Sequence, residues 1–223
     1  MSVPFPIKIN SFDFLLLPER ALYWPLHKTL IISDPHLGKA GHFRKSGIAI
    51  PQQVFVHDLQ KLVTLLQVTK AERLIVTGDF FHSTENKELV LFKKWRKDFA
   101  SLRIELVMGN HDILPFSVYA SLDIQCHASI FELDGLVFCH DISSKPKNTA
   151  AYCFCGHLHP GVHISAKGKQ SLLLPCFYFT SSYSILPAFG SFTGFVPVRA
   201  KKGDRVIAIT EKELIEIKSK LIL

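Results

Sequence analysis

Five short motifs place metal-ligating side chains along the first 160 residues. They are Asp34-Pro35-His36, Gly78-Asp79, Gly109-Asn110-His111-Asp112, His140-Asp141 and Gly156-His157-Leu158-His159. Carboxylate oxygens and imidazole nitrogens in this mixture suit manganese, iron and zinc. On an extended backbone, residues i and i+2 share a face. Asp34 with His36, and His157 with His159, can therefore each aim two ligands at one cation. Asp79 belongs to the middle of the first three motifs and is the natural bridge between two cations. The Asn110 carbonyl is a weaker oxygen ligand that adds no charge. Two divalent ions about 4 Å apart can clamp both the attacking and the leaving oxygen of a phosphoryl displacement. The residue types and their spacing thus point to a two-metal centre for phosphate-ester hydrolysis.

Such a centre needs strands that end together. Lys28 to Ser33, Arg73 to Thr77 and Arg103 to Val107 are short apolar runs, as buried parallel strands should be, and each ends at a motif. Leu136 to Cys139 and Tyr152 to Cys155 end at the other two. In open α/β sheets ligands bind beyond the carboxyl ends of the strands. After Pro51, the stripe Phe55, Leu59, Leu62, Val63 and Leu66 predicts an amphipathic helix. Leu91, Trp95, Phe99 and Leu102 predict a second, with Lys93, Lys94, Arg96 and Lys97 facing solvent. The order is β-α-β-α-β, the pattern of a mostly parallel sheet covered by helices. The last third breaks into short apolar pieces, adding Val162 to Ser165, Leu172 to Leu174 and Val206 to Ile209, which read as a second sheet. Ser11 to Pro25 reads as a hairpin, and Glu213 to Ile217 either completes a sheet or pairs with another subunit. With no repeat, low-complexity tract or linker, the expectation is a single α/β layered domain over residues 1–223 with one continuous core.

Composition narrows the class. Hydrophobic residues make up 48% and charged residues 20%, which excludes a disordered or fibrous chain. A chain of 223 residues can bury about 70% of its unfolded surface and needs no staples. No apolar run is long enough to span a bilayer, and the first residues do not read as a signal peptide. Five cysteines, an odd number, suggest reduced thiols and a cytoplasmic protein. The net charge of +7 suggests a polyanionic partner, with nucleic acid foremost.

The motif order D-x-H, GD, GNHD, H, GHxH, spanning Asp34 to His159, resembles the calcineurin-like metallophosphoesterase superfamily. DPHLGKAGHFRKSGIAIP, residues 34–51, is similar to the signature DLHLGKxxxFRxxGxxxP of the ligase-associated bacterial phosphoesterases, with Pro35 where Leu is usual. GDFFHS (78–83) and LPAFGSFTG (186–194) resemble the same group, although Phe195 stands where a further Gly is usual. The resemblance implies a four-layer α/β/β/α sandwich, two mixed sheets flanked by helices. It implies one metal held by Asp34, His36, Asp79 and His159, and a second by Asp79, Asn110, His140 and His157. His111 would stabilise charge or protonate the leaving oxygen, Asp112 would orient its imidazole, and a hydroxide shared by the cations would attack. The metals implied are two divalent ions, manganese first, with iron or zinc as alternatives. The implied activity is a DNA-repair phosphodiesterase or endonuclease, with ligase or helicase associates. The alternative is a phosphodiesterase or phosphatase acting on a small nucleotide. No large insertion separates the motifs, which favours an open site.

Several further residues have two readings. Lys39, His42, Arg44 and Lys45 could grip a substrate phosphate or form a solvated loop, and Arg44 is best suited to bidentate contact. His82 is either a partner of a ligand carboxylate or a neighbour of a helix cap. Cys153, Cys155, His157 and His159 lack the spacing of a structural zinc site, so the cysteines read as core. Phe80, Phe81, Phe189 and Phe192 are either core or base-stacking residues. The Lys93 to Lys97 cluster reads as a solvated helix face. A catalytically idle scaffold is the rival of another class, and the intact ligand set opposes it.

Overall fold

Tight turns and apolar alternation build the first sheet from the amino end. The computed structural model describes residues 3–39, 53–81, 87–147, 149–165, 171–211 and 213–217. Strands β1 (Phe5–Ile9), β2 (Phe12–Leu17), β3 (Ala21–Trp24) and β4 (Thr29–Ile32) form an antiparallel meander. Asn10, Arg20 and Lys28 take left-handed φ values of 53°, 65° and 45° at its three reversals. The hairpin expected over Ser11 to Pro25 is β2 and β3. From β4 the pairing turns parallel, through β5 (Arg73–Thr77) and β6 (Arg103–Val107) to β7 (Ile124–His127). Helices α1 (Gln53–Thr69) and α2 (Lys87–Asp98) make the crossovers, and the short α3 (Phe116–Ser121) precedes β7.

The α1 stripe packs as its spacing predicts, with Val63 only partly buried. The α2 stripe does so only at Trp95: the helix ends at Asp98, so Phe99 and Leu102 lie beyond it, and Leu91 is only partly buried. Phe55, Leu59, Leu62, Leu65 and Leu66 of α1 and Leu89, Phe92 and Trp95 of α2 are buried against β4, β5 and β6. Lys93, Lys94 and Lys97 are exposed, but Arg96 is only 5% exposed rather than solvated. Its guanidinium donates to the carbonyls of Leu122 (2.8 Å), Leu102 (3.0 Å) and Phe99, and pairs with Asp123 at 2.9 Å. A planar group with five N–H donors can satisfy carbonyls left open around the end of α2, which a lysine could not.

The second sheet gathers the short pieces of the last third. It contains β8 (Ile130–Leu133), β9 (Leu136–Cys139), β10 (Tyr152–Cys155), β11 (Pro160–Ser165), β12 (Ser171–Phe179), β13 (Tyr183–Ile185), β14 (Val196–Pro197), β15 (Arg205–Ile209) and β16 (Leu214–Ile217). β9, β10 and β13 run parallel, while β8, β12 and β15 pair antiparallel with their neighbours. β16 completes the sheet against β15, from Val206 beside Ile217 to Ile209 beside Leu214. Both sheets are mixed, and the class is α/β.

The apolar interior is divided into three layers, not the one continuous core expected, because each sheet is buried on both faces. One layer lies between the helices and the first sheet. The second lies between the sheets, where Phe14, Trp24, Phe138, Phe154 and Phe177 interlock. The third covers the far face of the second sheet and holds Cys139, Cys153, Cys155 and Cys176. Among the described residues no long helix packs on that face. Ile142 of a 3-10 turn (Ile142–Ser144), Val198 and Ala200 pack against it. None of the described helices is long and apolar enough to cross a membrane.

Phe154 is central to the layer between the sheets. Its ring stacks on Phe138 at 5.4 Å and meets Phe14 at 5.4 Å. Phe154→Ala is expected to lower stability by about 3–5 kcal/mol, because the cavity lies between two rigid sheets. Urea unfolding should show a lower midpoint with an unchanged slope.

Candidate metal centre

Strands β4, β5 and β6 of one sheet and β9 and β10 of the other send their carboxyl-end loops to one place. The β4 and β5 loops are bound to each other beyond the sheet. The amides of Asp34, His36 and Leu37 donate to the carbonyls of Gly78 (3.2 Å), Asp79 (2.9 Å) and Phe80 (2.9 Å). This ladder does not leave Asp34 and His36 on an extended backbone. Their φ values are 48° and 46°, and Asp79, His157 and His159 are likewise left-handed at 52°, 67° and 46°. The side chains of each D-x-H and H-x-H pair still converge, but through left-handed backbone rather than through strand alternation. Such non-glycine conformations cost on the order of 1–3 kcal/mol each and persist where surrounding contacts enforce them.

Each carboxylate is split between two tasks. Oδ2 of Asp34 accepts from the Ser33 hydroxyl and from the His157 amide at 3.0 Å. Oδ1 is buried, accepts no hydrogen bond from the described residues, and lies 3.6 Å from His159 Nε2 and 3.7 Å from His140 Nδ1. Oδ1 of Asp79 accepts from the His111 amide at 2.8 Å. Its Oδ2 lies 3.6 Å from His36 Nε2 and 3.7 Å from His140 Nε2. One oxygen of each is thus fixed by backbone while the other faces imidazoles. Burial alone would raise the Asp34 pKa, but His159, His140 and the Ser33 hydroxyl outweigh it and hold the carboxyl below its ordinary value.

Acceptor atoms crowd one point beside His140. Its Nδ1 lies 3.1 Å from the Thr77 carbonyl, an acceptor only, so that nitrogen carries the proton. Nε2 then presents a lone pair, with Asn110 Oδ1 at 3.1 Å and His157 Nδ1 at 3.0 Å. Lone pairs gathered around a common volume fit a cation. Ligand atoms of Asp34, His36 and His159 lie within 4.8 Å of one another, as do those of Asp34, Asp79 and His140. Asp34 belongs to both groups and Asp79 to one, whereas the bridge is expected of Asp79. The seven ligand candidates are together, and their donor set fits two divalent cations.

The remaining candidates divide. His111 is half-buried with its ring 5.2 Å from that of His36. Asp112 has both oxygens engaged by backbone: Oδ1 by the amides of Phe80 (2.8 Å) and Phe81 (3.1 Å), Oδ2 by the amide of Gly109 (2.9 Å). It ties the β5 and β6 loops together, and burial pushes its pKa up to about 6 against those three amides. Lys39 is half-buried, and burial lowers its pKa while the Asp79 and Asp34 charges oppose the shift. His42, Arg44, Lys45 and His82 lie outside the described residues. Cys153 and Cys155 are core. Motif reading missed Ser33 and Thr77, and it gave no role to Asp141, whose Oδ2 lies 3.6 Å from His157 Nε2. The only sequence signal of Ser33 and Thr77 is adjacency to a motif.

Two glycines make the approach possible. A Cβ on Gly78 would overlap the His140 imidazole, and one on Gly156 would overlap Ser33 Oγ and Asp34 Oδ2. Behind them, residues 188–191 brace the β4 loop. Phe189 donates its amide to the Ser33 carbonyl (2.7 Å) and Gly190 its amide to the Asp34 carbonyl (3.3 Å). This segment is held in turn by Lys61, which donates to the Phe189 carbonyl at 2.6 Å and lies 3.8 Å above its ring. Asp58 accepts from the Ser191 amide at 3.1 Å, and Arg20 reaches the Ala188 and Gly190 carbonyls at 3.3 Å each. Burial brings the Lys61 pKa down to about 8 against the pull of Asp58.

A hydrolase that works on phosphate esters through bound metal is the class this fold and site define. A sequence model of the calcineurin-like phosphoesterases matches residues 27–159, more than half of the chain. The chain belongs to that family, whose members use divalent metals. Among solved structures, the nuclease MPE of Pseudomonas putida matches with a TM-score of 0.78 and 28% identity, covering 96% of this chain and 100% of that one. YfcE, a phosphoesterase from E. coli, aligns at a TM-score of 0.43 and 14% identity, over 87% of this chain and 99% of its own. No curated protein sequence matches the chain.

Two tests follow from this geometry. Gly156→Ala should weaken divalent-cation binding at least about ten-fold in calorimetric titration, with the fold retained, because Asp34 must give way. For Lys61 the folded pKa lies below the unfolded value of 10.5, at about 8. The unfolded chain therefore binds more protons across that window, and this group makes stability rise with pH between the two values. Lys61→Met should remove that part of the rise when urea unfolding of the two proteins is compared at pH 8 and 10.

Proposed function

We propose that the chain is a two-metal phosphodiesterase that cuts DNA internally. One observation carries the reading: two buried carboxylates, each tied to backbone through one oxygen, turn the other oxygen into a cluster of imidazoles. In this reading Asp34, His36, Asp79 and His159 hold one cation, and Asp79, Asn110, His140 and His157 hold the other. The cations, manganese before iron or zinc, supply Lewis-acid stabilisation and lower the pKa of water toward neutrality when bound.

The protein's own groups position and protonate. His111, beside His36, stabilises the developing charge or gives its proton to the leaving oxygen. Asp112 serves this step as a tether, fixing through three amides the loop on which His111 stands. Ser33 and Thr77 set the orientation of Asp34 and His140. Arg44 is assigned to a substrate phosphate on sequence grounds alone.

DNA is favoured over a small nucleotide by the net charge of +7 and by the similarity to a protein named a nuclease. The repair role, with a ligase or helicase associate, rests on the ligase-associated signature at residues 34–51. The cytoplasmic location rests on the odd cysteine count, and the single-domain reading on the match over 96% of the chain.

Covalently closed single-stranded DNA has no ends, so only internal cleavage can open it. With manganese the wild type should open the circle and Asp79→Asn should not. His111→Ala should retain bound metal by elemental analysis and lose roughly a hundred- to ten-thousand-fold in rate. A circle left intact by the wild type, with turnover of small phosphodiesters, would exclude internal cleavage of DNA and leave the phosphodiesterase chemistry standing.

A further inference from the structure

The candidate metal centre uses the carboxyl ends of the parallel strands. The amino ends of β5 and β6 carry a different chemistry. Arg73 opens β5, Arg103 opens β6, and the two stand side by side in the parallel register. Strand alternation sets Leu74 and Ile104 toward the helices, so both arginines share the opposite face, that of Ile75 and Val107. Neighbouring strands lie only about 4.8 Å apart, and like charges held side by side repel. Five residues of strand put this pair roughly 16 Å from the loops that carry Asp79 and Asn110.

Nearby carboxylates do not neutralise them. Glu72 pairs with Lys28 at 2.6 Å, and Asp134 with His27 at 3.1 Å. Glu105, the next residue of β6 on that face, is engaged by His127 at 2.8 Å. Among the described residues no carboxylate pairs with Arg73 or Arg103, and the buried Nε of Arg73 has no acceptor. A buried donor left without an acceptor is costly. Both arginines line one cleft of about 590 Å³, together with His27, Glu72 and Ser101. Two planar forks of N–H donors on a common space match the oxygens of a doubly charged phosphate, which can accept from both at once. A carboxylate, with one charge and two oxygens, balances only one of them.

We propose that Arg73 and Arg103 form a second phosphate-binding site, at the amino ends of the strands and remote from the metal centre. Phenylglyoxal modifies unprotected guanidinium groups, and peptide mass spectrometry reads each arginine separately. The full chain, loaded with manganese, is modified with and without inorganic phosphate. Arg205, paired with Glu216 at 2.7 Å, is the reference. Phosphate should slow the modification of Arg103 at least about ten-fold, the scale of one charge-assisted hydrogen bond, and leave Arg205 unchanged. Arg73→Gln should remove most of that protection while turnover of a small phosphodiester stays the same. A second arm adds oligothymidylate to the Asp79→Asn chain. Protection by roughly micromolar strand assigns the site to a nucleic-acid backbone, and protection by inorganic phosphate alone assigns it to a free phosphate or small ester. An Arg103 modified at one rate under every condition, or protection that survives in Arg73→Gln, overturns the site and leaves the phosphodiesterase reading standing.

Discussion

The Asp34 carboxylate sits where water cannot reach it, and its charge must be balanced by what surrounds it. An isolated ionised carboxylate in such a place would cost many kcal/mol and would take up a proton instead. Here the Ser33 hydroxyl and the His157 amide engage one oxygen, while His159 and His140 face the other. Asp79 repeats the arrangement with the His111 amide. Much of the local architecture serves these charges. The glycines at 78 and 156 admit the neighbouring side chains, the left-handed ligand positions turn them inward, and residues 188–191 hold the backbone carbonyls of Ser33 and Asp34.

The two sheets contribute unequally. The first supplies Asp34, His36, Asp79 and Asn110, all on loops after parallel strands covered by helices. The second supplies His140, His157 and His159, on loops after β9 and β10. The centre therefore lies across the seam between the sheets, and the aromatic layer of Phe14, Phe138 and Phe154 that joins them also fixes the distance between the two ligand sets.

The strands and helices that bear the site were legible in the sequence because their signals are local. A run such as Arg73 to Thr77 reads as a doubly buried strand without reference to the rest, and the α1 stripe reads as a helix face. The residues that come together at the candidate site were legible because each follows a strand or belongs to a compact motif. What was not legible depends on distant partners. The left-handed backbone of Asp34 and His36 is enforced by hydrogen bonds to the loop after β5, so no local rule announces it. Asp112 looks like a companion of His111 in the chain, but in space its oxygens meet three amide groups. Arg96 lies in a run of cations that reads as solvated, and only the carbonyls of Leu102 and Leu122 explain its burial. The bracing by residues 188–191 joins positions more than 150 residues apart.

That separation bears on how the protein is made. A chain emerging from the ribosome exposes Asp34, His36 and Asp79 long before the His157 amide and the 188–191 segment exist to fix them. Domains complete their folding only when their distant segments are available, and synthesis proceeds at about 5–20 residues per second. The nascent amino-terminal half thus carries the candidate ligands without the contacts that position them. The positioning of these groups is deferred until residues 188–191, beyond β13, have been made.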